Sequence, residues 1–65
     1  MTNVGDMFKN VESGEVFTVK SVTPNTILLT TKDGYHTKFV RPEEIDSAFV
    51  PFVEEEAKKK PYEQD

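Results

Sequence analysis

Apolar and polar positions alternate most clearly between Glu15 and Val40, which reads EVFTVKSVT-PN-TILLTTK-DG-YHTKFV. Three runs rich in β-branched and aromatic residues are separated by two turn-forming dipeptides. Such side chains suit a pleated, half-buried surface. In the third run, from Tyr35 to Val40, Tyr35, Thr37 and Phe39 share one parity, and His36, Lys38 and Val40 share the other. That is the pattern of a strand with one face in the core and one in water. In the second run, from Thr26 to Thr31, Ile27 and Leu29 share a parity and Leu28 stands alone on the other. In the first, from Glu15 to Thr23, Phe17 and Val19 agree, but Val16 and Val22 fall opposite. The slip predicts a bulge or sharp bend near Lys20–Ser21. A helix fits this run poorly, because its β-branched residues lose side-chain freedom against each preceding turn.

The two dipeptides set the connectivity. Asp33-Gly34 predicts a two-residue type I′ turn, with positive φ at both central positions. Pro24-Asn25 predicts a type I or II turn, since Pro presets φ and Asn tolerates the left-handed region. Loops this short join only antiparallel neighbours, so the three runs form a meander paired in sequence order.

The flanks are less regular. Val4-Gly5-Asp6-Met7-Phe8 reads as a first strand with Val4 and Phe8 inward, Asp6 outward and Gly5 permitting a bend. The segment from Asn10 to Gly14 reads as a turn-rich loop. Pro42 followed by Glu43 and Glu44 marks a helix start, because the acids complement the positive end of the helix dipole. One 3₁₀ or α turn is expected there. The segment from Ala48 to Val53 reads two ways. It is either a fifth strand pairing with the first, with Pro51 tolerated at an edge, or the lead-in to a helix ending before Pro61. Three i,i+4 Glu-to-Lys pairs, Glu54/Lys58, Glu55/Lys59 and Glu56/Lys60, support the helix. The reading adopted joins the two: a short strand near 48–50, a helix from about Phe52 to Lys60, and a disordered end.

The 65 residues make one domain, placed at 1–53, with a charged helix or tail over 54–65. The expected core is Val4, Phe8, Phe17, Val19, Ile27, Leu29, Tyr35, Phe39, Ile45 and Phe49. A core of that size supports a net stability of about 3–5 kcal/mol. The chain has no cysteine. That removes disulfides, thiolate metal sites and thiol nucleophiles together, and in a domain this small it favours an intracellular, cytoplasmic protein. Neither a signal peptide nor a membrane span is expected. The formal net charge is −4. Residues 1–53 carry five basic and seven acidic side chains, and residues 54–65 carry three lysines and five acids. Neither part has the basic excess of a nucleic-acid binder.

A strand beginning Val4-Gly5-Asp6, a loop, three meander strands, a helical turn after Arg41-Pro42 and a short closing strand resemble an SH3-like small β-barrel. This is the group of SH3, Tudor-like and KOW-like domains. The resemblance spans roughly Val4 to Val53. It implies a mainly β fold, an antiparallel barrel of about five short strands with one helical turn. The aromatic groove that SH3 domains use for proline-rich peptides does not carry over. The chain has no Trp, and its tyrosines are Tyr35 and Tyr62. The small, acidic, cysteine-free character also resembles accessory proteins of phages and mobile elements.

The residues offer little for catalysis. His36 is the single histidine and reads as an exposed strand residue rather than a general base. Glu43, Glu44 and Asp46 read as a solvated helix start rather than a cation site. The three glycines are isolated turn residues, with no phosphate loop, and Ser13, Ser21 and Ser47 have no triad context. No enzyme, metal or cofactor is expected. A protein-interaction module is. Val16, Val22, Leu28, Val40, Val50 and Phe52 exceed what one small core holds, and exposed apolar patches mark interfaces. Tyr35, Leu28, Val50 and Phe52 are the candidate partner-binding residues. The alternatives are a homodimer, or a single-strand nucleic-acid barrel using Lys20, Lys32, Lys38 and Arg41.

Overall fold

A computed structural model describes residues 2–53. Its elements are β1 (Met7–Asn10), β2 (Val16–Val22), β3 (Ile27–Thr31), β4 (Thr37–Val40), α1 (Pro42–Ala48) and β5 (Phe49–Pro51). The strands form one open antiparallel sheet in the order β4-β3-β2-β1-β5, which leaves β4 and β5 at its edges. The meander, the single helix before the last strand and the pairing of that strand with β1 are as the sequence predicts. The edge position also explains Pro51. A residue without an N–H removes a ladder bond, which an edge tolerates.

The bulge lies where the parity slips. Val19 pairs with Leu29 and Ser21 with Leu28, so Lys20 is the extra residue. One inserted residue flips the alternation. Phe17 and Val19 before it, and Val22 after it, therefore share a face with Ile27 and Leu29. The core is Phe17, Val19, Ile27, Leu29, Val40, Ile45 and Phe49, with Phe8 and Ala48 packed against it. The rings of Phe17 and Phe49 meet edge-on, 6.0 Å apart, a favoured aromatic geometry. Ile45 is the buried residue of α1 and closes the core over the sheet.

Three expected core residues are exposed, and Phe8 is only partly buried. Val4 is 64% exposed, because the first strand begins at Met7 and the residues before it form a turn. Gly5 has φ +96°, which takes the chain out of the extended geometry expected there. The Gly5 N–H donates to the Val19 carbonyl (2.9 Å), and the Val19 N–H donates to the Asp6 carbonyl (2.8 Å), clamping this turn beside the bulge. Tyr35 is 85% and Phe39 73% exposed. Val40, of the opposite parity, is the residue of β4 that is buried. The register explains the exchange: Val40 lies opposite Ile27 and Lys38 opposite Leu29, whereas Phe39 lies opposite Leu28.

The two turns fare differently: Asp33-Gly34 departs from expectation, whereas negative φ at Asn25 leaves type I of the two turn types expected at Pro24-Asn25. No described residue other than glycine has positive φ, so Asp33-Gly34 is not a type I′ turn. The Gly34 N–H donates to the Thr31 carbonyl (2.9 Å) and the Thr31 N–H to the His36 carbonyl (2.9 Å), making a four-residue loop in which Gly34 alone is left-handed, at φ +81°. The Pro24-Asn25 turn keeps negative φ at Asn25. It closes by the Thr23 N–H donating to the Thr26 carbonyl (2.8 Å) and the Thr26 N–H donating to Thr23 Oγ1 (3.0 Å).

The helix has seven residues rather than a single turn. Its start is held by the Arg41 N–H donating to Glu44 Oε1 (2.8 Å), the Glu half of a capping box. Phe52 and Val53 are not helical, so the expected helix does not begin at Phe52. The rest of that helix and the expected disordered end lie outside the described residues.

Candidate functional site

The side of the sheet turned away from the core is a surface of apolar residues and threonines. The pairing sets out its rows. Ser21, Leu28 and Phe39 lie side by side across β2, β3 and β4. Met7, Thr18, Thr30 and Thr37 form the next row, and Val16, Lys9 and Val50 the third, across β2, β1 and β5. Leu28 is half-buried, and Phe39 and Val50 are exposed. Lys9 is the single charged residue in these rows, in a chain that is 31% charged. Thr30 Oγ1 lies 3.4 Å from Thr37 Oγ1 and donates to the His36 carbonyl at 3.2 Å, so the threonines are knitted together between the apolar rows.

The four candidate partner-binding residues do not form one cluster. Leu28 sits on the β4 side of this surface and Val50 on the β5 side, with β2 and β1 between them. Three strand spacings amount to roughly 14 Å. Tyr35 projects from the β3–β4 loop. Phe52 follows β5, donates its N–H to the Met7 carbonyl (3.0 Å) and lines a groove with Phe8 and Ile45. Phe39 is what the sequence reading missed. Its signal was its register opposite Leu28, because side chains directly opposite share a face.

The candidate cations are dispersed as well. Lys20 is the exposed bulge residue, Lys32 lies in the β3–β4 loop, and Arg41 precedes α1. Lys38 shares its face with Leu29, opposite to that of Phe39. His36 is exposed, as expected, and its Nδ1 is bonded to Glu15 Oε2 across the start of β2.

Asp33 gives the β3–β4 loop an electrostatic feature. Asp33 Oδ1 accepts from Thr31 Oγ1 (2.6 Å) and from the Tyr35 N–H (3.0 Å). These two bonds, the first the stronger, hold its carboxyl below the ordinary value of 3.8. Asn10 plays a similar organising part in the β1–β2 loop. Among the described residues it is the one buried polar side chain, and its Oδ1 accepts from the N–H groups of Glu12 (2.9 Å) and Ser13 (2.8 Å).

A second concavity, an open groove of about 780 Å³, lies between the N-terminal turn, the β2–β3 turn and α1. Val4, Val22, Pro24, Ile27 and Pro42 line it, and Asp46 is its one titratable side chain. Among the described residues, an acid–base pair is therefore absent from its walls. Among the described residues no three His, Cys, Asp or Glu side chains come together as a metal site, and no helix is long and apolar enough to cross a membrane. No family model, curated protein or solved structure matches the chain.

Proposed function

We propose that this chain is a small, non-enzymatic protein-interaction module of SH3-like architecture, acting through the outer surface of its sheet at the β4 side. The observation that carries the reading is Phe39. A phenylalanine 73% exposed on an edge strand, directly opposite a half-buried leucine, is an apolar anchor without a cover. Aromatic anchors surrounded by less critical contacts are what binding energy concentrates in. The threonine rows beside it supply adaptable hydroxyls with few charges to desolvate, matching the depletion of charge at interface centres. The β5-β1-β2-β3-β4 order, with its helix between β4 and β5, supports the SH3-like reading. The acidic, cysteine-free composition is in keeping with an accessory factor of a phage or mobile element that acts on a host protein.

Affinity capture from nuclease-treated bacterial lysate tests this, using the full chain, a Phe39→Ser variant and a Glu12→Gln control. The expected result is a stoichiometric protein held by the wild type and the control and lost from Phe39→Ser. Equal recovery by all three chains overturns the assignment to this surface. Empty captures throughout overturn the module.

A further inference from the structure

We propose that the free edge of β4 accepts an extended acidic segment of a partner protein as an added antiparallel strand. The inference rests on the interaction role above and specifies its partner. The hydrogen-bond phase of the ladder comes first. In an antiparallel pair, residues alternate between bonding their neighbour and pointing their main-chain groups away from it. The Thr31 N–H donates to the His36 carbonyl, which fixes the phase. Lys38 and Val40 then bond to β3, while Thr37 and Phe39 turn their N–H and C=O groups outward. β4 is the last strand on this side of the sheet. Among the described residues no hydrogen bond reaches those four groups, and each needs a partner once water is excluded. They form a template for strand addition.

Charge selects the occupant. From Thr37 to Arg41 the edge carries Lys38 and Arg41 and no acid, although residues 1–53 are acidic overall. The nearby carboxylates of Glu15 and Asp33 are engaged with His36 and with Thr31 and Tyr35, and Glu44 is engaged with the Arg41 N–H. Glu43 is the remaining acid at the helix start. An edge lysine is a standard block to pairing with like strands, and here it blocks a second copy. With faces matched, any register centred from Thr37 to Phe39 sets Lys38 opposite or diagonal to its counterpart, within roughly 8 Å. An acidic strand meets the same lysine as a favourable pair. The expected segment alternates, with a carboxylate opposite Lys38 on the helix side and an apolar residue opposite Phe39 on the outer side, packing against its ring.

A random-sequence peptide display library selected against the full chain, followed by ¹⁵N NMR of the chain with the enriched peptide, tests this. The expected peptides alternate acidic and apolar residues. The Thr37 and Phe39 amides exchange rapidly in the free chain and become protected in the complex. Binding weakens with salt, and Lys38→Glu, an exposed change that leaves the fold intact, lowers affinity by about tenfold. A selection that enriches no such pattern, or a complex in which those two amides stay unprotected, overturns the inference. A captured partner whose footprint falls on Val50 and Phe52 overturns it while leaving the interaction module standing, whereas a chain that binds neither peptide nor protein overturns both.

Discussion

The two hairpins that share β3 are built differently. The β2–β3 hairpin lies in the middle of the sheet. It buries Phe17, Val19, Ile27 and Leu29, absorbs a bulge at Lys20, and turns tightly at Pro24-Asn25 without any left-handed residue. The β3–β4 hairpin lies at the edge. It buries only Val40 of its outer strand, needs a left-handed glycine, and ties its loop with exposed hydrogen bonds through Asp33. The first is held by apolar area removed from water, the second by local turn chemistry and one buried valine. An edge strand lacks a neighbour on one side, so a small sheet covers it incompletely. The same incompleteness makes the second hairpin available for binding.

Five substitutions put that contrast to the test, along with one titration. Leu29→Ala, in the strand common to both hairpins, is expected to cost about 3 kcal/mol, enough to unfold much of a domain this small. Urea denaturation followed by circular dichroism checks it, and a loss below about 1 kcal/mol would deny β3 its place at the centre of the core. Next come neighbours of opposite face in β4. Val40→Ala should cost about 2 kcal/mol, whereas Phe39→Ser should change stability by no more than about 0.5 kcal/mol. Equal losses would mean that both faces of the edge strand are buried. The turns form the third contrast. Gly34→Ala forces a Cβ into the left-handed region and should cost about 1 kcal/mol, while Asn25→Ala, at a position of negative φ, should be close to neutral. The titration has the smallest expected effect. The Asp33 pKa is depressed in the folded chain, so its contribution is present above the unfolded carboxylate range and is lost as pH falls through the folded value. Carboxyl ¹³C shifts should show Asp33 titrating below its ordinary value of 3.8 and returning toward it in Thr31→Val, which removes the larger cause.

Much of this was legible in the chain. The bulge was written as a slip of parity between Val19 and Val22. Strand order followed from short loops, and the helix start from Pro42 and its two acids. The buried face of β4 was harder. Apolarity counted along β4 alone selects Tyr35 and Phe39, and both are exposed. Carrying the register across from β3 selects Val40, because a turn centred on Asp33-Gly34 already pairs Phe39 with Leu28 and Val40 with Ile27. The information was present, but in the pairing rather than in the strand. Of the candidate binding residues, Leu28 lies half-buried on the outer surface. Val50, Tyr35 and Phe52 were each near an edge or loop, and composition had no means of showing that they lie apart.

The sequence by itself determined the alternation, the positions of the two turns, the site of the bulge and the absence of thiol chemistry, since each depends on side chains a few residues apart. The tertiary structure decided which parity of β4 meets the core, how far Gly5 bends the chain away from a first strand, and which main-chain groups of Thr37 and Phe39 are left without a neighbour. Those depend on what lies across the sheet, and a one-residue shift in pairing would reverse every one of the facing side chains.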